Sequence, residues 1–186
     1  MHKFKYLFSR VKLFLINVKD YLYSFSEPSD VKVTIEPFDP RLKAIGEEWL
    51  RKINLEIPGL KIFFVGSVAL GVPGQRDIDF IAECNQADLQ KYANQLKKIF
   101  GIPRNETPQF VEWNSERKDY KIEFFLSIPQ SRIYKGYKDI FFALDSNKKF
   151  LDEYNDLKLS VDGMSLRNYE RARKKFFNKV INEVYN

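Results

Sequence analysis

The sequence predicts an α+β fold, in which helices pack on a small mixed β-sheet and the chain ends in helices. Two patterns and the chain length predict it. Short alternating or apolar segments bounded by turn residues recur between residues 31 and 127, as strands do. Segments with apolar residues every third or fourth position lie among them and continue to the C-terminus. A chain of 186 residues is long enough for one compact domain, alone or with an appended element.

The appended element is predicted at the N-terminus, with an amphipathic helix over residues 1–27 and the domain over residues 28–186. The apolar stripe comprises Phe4, Leu7, Val11, Phe14, Val18, Tyr21 and Phe25, widened by Phe8, Leu15 and Leu22. The opposite face carries Lys3, Lys5, Arg10, Lys12 and Lys19. Such a helix packs on the domain or on a partner helix, or binds a membrane surface through residues 1–25.

The chain predicts neither a membrane span nor an exported protein. A span needs about 20 predominantly apolar residues, and the apolar residues 11–18 are interrupted by Lys12 and Asn17. The basic start and apolar middle of residues 1–25 resemble a signal peptide, but no small-x-small cleavage site follows. We therefore expect a cytoplasmic protein.

The first half of the domain is predicted to alternate strands with helices. The segment VKVTI at 31–35 alternates like a short strand, and the two prolines of EPFDP then make a turn. A helix over 41–55 ends before IPG. An apolar strand over 61–65 ends at Gly66, and a second strand follows over 77–82.

The second half is predicted to finish the sheet and then become helical. A helix over 87–100 places Leu89, Tyr92, Leu96 and Ile99 on one face and ends at Gly101. Strands are predicted over 108–113 and over 120–127, where YKIEFFLS alternates strongly. Helices follow over 138–145, 147–159 and 165–185.

Histidine and cysteine are too scarce for several common kinds of site. His2 is the only histidine and Cys84 the only cysteine. A Ser-His-Asp triad, a His-ligated zinc site, a cysteine metal cluster and a disulfide framework are therefore excluded. Acid–base or metal chemistry must use carboxylates.

The net charge of +6 suggests a nucleic-acid or membrane partner, but it lies at the two ends of the chain. Residues 1–27 contain five basic and two acidic residues, and residues 166–186 contain six and two, so the rest carries −1. No basic stripe crosses the middle of the sequence. The net charge of +6 is therefore weak support for an RNA-directed enzyme or an RNA-binding protein.

The most informative segment is FVGSVALGVPGQRDIDFI at 64–81. A buried strand ends at Gly66 and Ser67, a turn that can present N–H groups and a hydroxyl to phosphates. Asp77 and Asp79 follow on a new strand and share one face, because side chains alternate along a strand. Neighbouring carboxylates repel each other unless a cation lies between them, and hard oxygen ligands favour Mg²⁺ or Mn²⁺.

A third carboxylate, Glu123, lies between Ile122 and Phe124 in the strand predicted over 120–127. On a neighbouring strand it would complete a two-metal site with Asp77 and Asp79. An Asp-x-Asp pair on a strand is a weak signal by itself. The prediction depends on the ordered combination of buried strand, Gly-Ser turn, paired acids and a later acid within a strand.

This combination resembles the signature of the polymerase-beta-type nucleotidyltransferase superfamily, which is a Gly-[Gly/Ser] turn after a strand, a short gap and Asp-h-[Asp/Glu]-h. The residues that resemble its minimal members are Gly66, Ser67, Ala69, Gly71, Asp77, Ile78 and Asp79. The resemblance implies a nucleotidyltransferase-like fold. It also implies that the paired acids bind two Mg²⁺ ions, that the Gly-Ser turn holds NTP phosphates, and that a third acid lies on a following strand.

The surroundings resemble a narrower group, the GrpB family of small proteins with that fold. The likeness covers residues 31–181 and rests on IEPFDP at 35–40, on Val-Pro-Gly at 72–74 and on a C-terminal pattern. That pattern comprises Tyr154, Leu157, Lys158, Tyr169, Arg173 and Phe176, with Arg173 where a lysine is usual. Residues 121–123 replace the family's His-x-His, and residues 141–142 replace its Arg-Asp pair.

The resemblance implies an enzyme that moves a nucleoside monophosphate from an NTP to a hydroxyl acceptor. Asp77, Asp79 and Glu123 are the expected catalytic residues and ligands of Mg²⁺ or Mn²⁺. The expected nucleotide contacts are Gly66, Ser67, Arg76, Lys158 and Arg173. Arg76 pairs with Asp77 or contacts phosphate, and the last two either reach the triphosphate or are solvated surface residues.

The acceptor stays open among a protein, an RNA and a small molecule, because acceptor contacts lie in variable loops. The alternative function is a catalytically inactive GrpB-like binding or regulatory module. In that case the N-terminal helix is a candidate for attaching the module to a membrane surface.

Overall fold

The computed structural model describes residues 30–185, with every side chain in that range except those of residues 132 and 133. The predicted N-terminal helix over 1–27 lies outside the described residues. The predicted fold class is confirmed, because a five-stranded mixed sheet is packed by helices and three helices end the described part. Across residues 30–185, helix length and hydropathy together leave no candidate for a membrane-spanning segment.

The strands are β1 Lys61–Val65, β2 Asp77–Glu83, β3 Asn105–Glu106, β4 Phe110–Glu116 and β5 Lys121–Ser127. Their order in the sheet is β1-β2-β5-β4-β3. Strands β2 and β5 are parallel, whereas the other neighbouring pairs are antiparallel. The two strands that carry the predicted acids are therefore neighbours in the sheet, although 37 residues separate them in the chain.

The α-helices are α1 Pro40–Glu56, α2 Gly66–Leu70, α3 Leu89–Phe100, α4 Arg132–Ser146, α5 Lys148–Ser160 and α6 Leu166–Tyr185. Helix α1 begins within one residue of the prediction, because Pro40 fits the first helical position and the Asp39 carboxylate accepts a hydrogen bond from the Arg41 N–H. Helix α5 begins similarly, since the side chain of Asn147 accepts hydrogen bonds from two backbone N–H groups.

One face of the sheet forms the main core. Ile78, Phe80, Ile122 and Phe124 point to this face and are at most 1% exposed. They belong to a cluster with apolar residues of α1 and α3. Because side chains alternate along a strand, burial of these four residues turns the intervening acids of β2 and β5 to the opposite face.

The opposite face is covered only in part. Helix α4 packs over one end of it, where Tyr134 joins Ile81 and Phe125 in a small apolar cluster. The Tyr134 hydroxyl donates a hydrogen bond to Glu83 beside this cluster. Helices α4, α5 and α6 pack on one another and on Val72 of the loop after α2. This packing brings the C-terminal helices beside the other end of the same face.

Two predicted boundaries are wrong. Residues 31–35 are extended but form no strand of the sheet; an isolated bridge joins Lys32 to Ser165, and the Val33 N–H donates to the Met164 carbonyl. Val33 is buried against Val161 and Tyr169, so this segment packs with the C-terminal helices. The helix predicted over 138–145 begins earlier, at residue 132.

Candidate active site

The three predicted acids lie on one face of two neighbouring strands. Asp79 of β2 and Glu123 of β5 are direct partners in the parallel register, and Asp77 lies opposite Lys121. All three acids are partly buried. Asn114 of β4 is the partner of Glu123 on its other side, and its side-chain amide donates a 3.3 Å hydrogen bond to Oε1 of Glu123.

The backbone of Gly66 lies directly against Asp79. Gly66 follows β1 as the first residue of α2 and has φ +80°, a conformation that residues with side chains rarely adopt. A Cβ at this position would lie 2.7 Å from Cγ of Asp79 and would overlap a carboxylate oxygen. A glycine is therefore needed here so that the turn after β1 can approach the carboxylate closely.

Ser67 follows in the first turn of α2 and is enclosed by the loop that returns to β2. A Cβ on Gly74 would lie 2.7 Å from the Ser67 hydroxyl oxygen, so the two residues are in close contact. The Val72 N–H also donates to the Ser67 carbonyl. The loop thus fixes Ser67 beside Gly66 and the acids.

The acids perturb one another's pKa values. Burial, followed by the charge of Glu123, raises the pKa of Asp77 to about 6 from its ordinary 3.8. Burial, Glu123 and Asp77 together raise the pKa of Asp79 well above the ordinary range. Burial and then Glu112 raise the pKa of Glu123. In all three groups burial is the largest cause of the shift, and the neighbouring carboxylates add to it.

Two cations of the C-terminal helices partly offset this charge. Lys158 of α5 and Arg173 of α6 both lie close enough to lower the pKa of Asp77 and that of Asp79. Arg173 acts in the same direction on Glu123. We call this part of α5 and α6 the helical wall of the site, and it presents positive charge to the acids.

Lys158 is not a solvated surface residue. It is 3% exposed, and its ammonium donates a 2.7 Å hydrogen bond to the Tyr169 hydroxyl. The ammonium also lies 5.4 Å from the ring centroid of Tyr154 and 5.0 Å from that of Tyr169. These contacts fix the position of the Lys158 ammonium between α5 and α6.

Arg173 lies beside Tyr169 and within electrostatic range of the acids. Its Nη2 donates a 2.8 Å hydrogen bond to Glu170, and its guanidinium lies 5.6 Å from the ring centroid of Tyr169. Its Nε is buried and has no hydrogen-bond partner among the described residues. Because a buried unpaired donor is costly, this N–H is a candidate for donating a hydrogen bond to a ligand oxygen.

Arg76 is directed away from the acids. Its side chain donates to the Asp119 carbonyl at 2.9 Å and to Glu36 at 3.1 Å, and Asp39 lies 3.9 Å away. The expected pairing with Asp77 is not among the contacts found between residues 30 and 185. These contacts instead hold Arg76 at φ +64° and anchor the end of the loop that precedes β2.

The donor set suits a hard divalent cation, but the protein does not enclose one by itself. Within residues 30–185, no three Asp, Glu, His or Cys side chains form a group that could hold a metal ion. The three acids offer carboxylate oxygens, which are the ligands that Mg²⁺ and Mn²⁺ prefer. Mg²⁺ commonly binds one or two carboxylates, with water and substrate phosphates as its other ligands.

Two polar groups of the site, Asn114 and Tyr137, were not predicted from the sequence. Asn114 belongs to the row Glu112, Asn114 and Glu116, whose polar side chains alternate with the buried Val111 and Trp113. That period of two could have indicated an open sheet face. Tyr137 lies on the part of α4 that the sequence did not predict, and its phenol is within electrostatic range of the acids and Arg173.

No protein-family model matches the chain. The chain is 23% identical over 147 residues to a UPF0157 protein of Vibrio cholerae serotype O1, which covers 74% of this chain and 77% of that protein. Among solved structures, it is similar to the Cid1 poly(U) polymerase, with 12% identity, a TM-score of 0.36 and coverage of 66% of this chain and 44% of the polymerase. It is also similar to a cytoplasmic RNA terminal U-transferase, with 10% identity, a TM-score of 0.34 and coverage of 68% and 43%. The chain thus spans less than half the length of either of these two solved proteins.

Proposed function

We propose that the protein is a metal-dependent nucleotidyltransferase, which moves a nucleoside monophosphate from an NTP to a hydroxyl acceptor. The observation that carries the proposal is the placement of Asp79 and Glu123 as partners on parallel strands, with Asp77 on the same face. The backbone of Gly66 against Asp79 supports it, because the turn that would hold the phosphates then adjoins the carboxylates.

In the proposed reaction, the acceptor oxygen attacks the α-phosphorus of the NTP, and the bond from that phosphorus to the pyrophosphate oxygen breaks. Glu123 accepts the proton of the acceptor hydroxyl. Asp77 and Asp79, together with Glu123, would hold Mg²⁺ or Mn²⁺, and the bound metal would lower the pKa of the hydroxyl and neutralise charge on the phosphates. The reaction needs no histidine, because positioning and electrostatics supply most of the rate enhancement.

The triphosphate would lie between the Gly66–Ser67 turn and the helical wall. In this arrangement the unpaired Nε of Arg173 donates to a phosphate oxygen, whereas the buried Lys158 acts through its charge. The contacts of Arg76 favour a role in holding the loop before β2 rather than in binding phosphate.

The test is transfer of label from α-³²P NTPs. The four NTPs are incubated one at a time with the protein, Mg²⁺ and an extract of the source cells, and the labelled molecules are separated. We expect a labelled acceptor with wild type, loss of label with Asp79→Asn, and retention with Asp145→Asn, which changes an exposed carboxylate of α4. Labelling that survives Asp79→Asn, or that persists in EDTA, would contradict the proposal.

A second candidate function is a non-catalytic binding or regulatory module. It is favoured by Lys158 and Arg173, whose charges already offset part of the acid cluster without a metal. This alternative predicts that Mg²⁺ and NTP leave the thermal stability of the wild type unchanged. Its proposed membrane attachment predicts co-sedimentation with anionic vesicles that is lost when residues 1–25 are deleted.

A further inference from the structure

An aromatic row runs beside the acid cluster on the same side of the sheet. It consists of Phe110 on β4, Phe125 on β5 and Tyr137 on α4. The ring centroids of Phe110 and Phe125 are 5.0 Å apart with the rings stacked, and those of Phe125 and Tyr137 are 6.1 Å apart. The row ends in Tyr137, which is 46% exposed and therefore available to a ligand.

The aromatic row adjoins Glu123. Phe125 lies two residues further along β5 and so points to the same face, about 7 Å away along the strand. The row also lies on the far side of the acids from Gly66 and Ser67, because the sheet order places β5 and β4 beyond β2. In the proposed reaction Glu123 serves the acceptor and the Gly-Ser turn serves the triphosphate. The row is therefore on the acceptor side.

Negative charge dominates this part of the face. The β-strands and the adjoining loop carry five carboxylates and two cations here: Asp77, Asp79, Glu112, Glu116 and Glu123 against Lys121 and Arg104. Lys158 and Arg173 of the C-terminal helices add two positive charges near the acids, but Arg173 is paired with Glu170, so negative charge remains in excess. Arg104 already forms an ion pair with Glu112 at 3.6 Å, so its charge is partly neutralised. Two divalent cations together with an ionised NTP would add no net positive charge. A polyanionic acceptor would therefore be repelled, and a neutral or cationic one attracted.

We infer that the aromatic row is the acceptor subsite, and that it binds a hydroxyl compound with a planar ring and no negative charge. The ring packs against Tyr137 and the edge of Phe125, and its hydroxyl reaches Glu123. The assignment of this subsite to the acceptor rests on the proposed function. The recognition of an uncharged or cationic ring does not, because it depends only on the row and on the surrounding carboxylates.

Binding of three small probes tests the recognition without any turnover. Tyrosinamide carries a phenol and a positive charge, N-acetyltyrosine carries the same ring with a negative charge, and alaninamide carries the positive charge without a ring. Calorimetric titrations use the full chain in EDTA without nucleotide. We expect tyrosinamide to bind at least threefold more tightly than either of the other probes.

Variants then locate the binding. Tyr137→Ala is expected to weaken tyrosinamide binding roughly fivefold, as loss of an aromatic contact does, whereas Tyr137→Phe retains it. Tyr185→Ala is the matched control, because Tyr185 is a 64% exposed tyrosine at the end of α6. Equal binding by wild type and Tyr137→Ala would overturn the inference, and so would preference for a single-stranded RNA oligonucleotide over tyrosinamide.

A second arm separates the acceptor side from the nucleotide side. The dissociation constant of Mg²⁺ and NTP is measured with wild type and Tyr137→Ala. We expect values within twofold of each other, together with at least fivefold lower label transfer in the variant. A variant that weakens NTP binding would assign the row to the nucleobase and overturn the inference. Failure of the wild type to bind NTP would instead refute the proposed function, while the probe titrations would still test the row.

Discussion

The pH dependence of stability tests the acid cluster without any substrate. Burial and the charge of Glu123 raise the pKa of Asp77 to about 6 in the folded protein, whereas its ordinary value is 3.8. The folded state therefore binds this proton more tightly than the unfolded chain does. The resulting stabilisation is fully present below pH 3.8 and is lost as the pH rises through about 6.

The size of the effect follows from the two pKa values. Between pH 4.5 and pH 7.5, a shift from 3.8 to about 6 removes about 2 kcal/mol from the free energy of unfolding. Asp77→Asn removes this titration, because an amide does not ionise. The stability of the variant relative to wild type should therefore rise by about 2 kcal/mol over that range.

Urea unfolding in EDTA, followed by circular dichroism at several pH values, measures this difference. Asp145→Asn is the control, because Asp145 is an exposed carboxylate of α4. At pH 7.5, Mg²⁺ should restore stability to wild type and much less to Asp77→Asn, since a bound cation takes the place of the lost proton. Parallel pH profiles of wild type and Asp77→Asn would refute the burial of this carboxylate among like charges.

Two further substitutions probe the walls of the site. Gly66→Ala should abolish metal-dependent NTP binding and destabilise the fold, because its Cβ would overlap Asp79. Gly163→Ala is the control, since Gly163 has a similar φ of +72° but open space around it. In urea unfolding the control should lose only about 1 kcal/mol, from backbone strain. Tyr169→Phe should cost about 1–3 kcal/mol, because the buried Lys158 ammonium loses its 2.7 Å acceptor. A double-mutant cycle with Lys158→Met should then give a coupling energy near that value, and additive effects of the two substitutions would contradict the contact.

The sequence predicts the strands and the faces of the site well, because these features are local. Apolar residues alternate with Asp77 and Asp79 and with Glu123 along their strands. This alternation predicts that the acids lie on one face of the sheet and the apolar side chains on the other, as the structure shows. The sequence also predicts the start of α1 to within one residue, at 41 rather than at Pro40. Local patterns of this kind need no knowledge of the rest of the fold.

Features that depend on distant contacts are not predictable in this way. The pairing of Asp79 with Glu123 depends on the strand order, which a single sequence leaves open. The burial of Lys158 depends on Tyr154 and Tyr169 meeting across two helices, so the helical pattern alone suggested a solvated residue. The alternation of residues 31–35 predicted a strand, but the backbone of this segment forms hydrogen bonds with the loop before α6 instead of with the sheet.

Equilibrium binding of a non-hydrolysable NTP analogue, with and without Mg²⁺, decides whether the acids form a metal–nucleotide site. We expect the analogue to bind wild type only with the cation, Asp79→Asn to weaken binding at least tenfold, and Asp145→Asn to leave it within twofold. Binding that is as tight in EDTA as in Mg²⁺, or as tight with Asp79→Asn as with wild type, would contradict the assignment of the three carboxylates to a metal–nucleotide site.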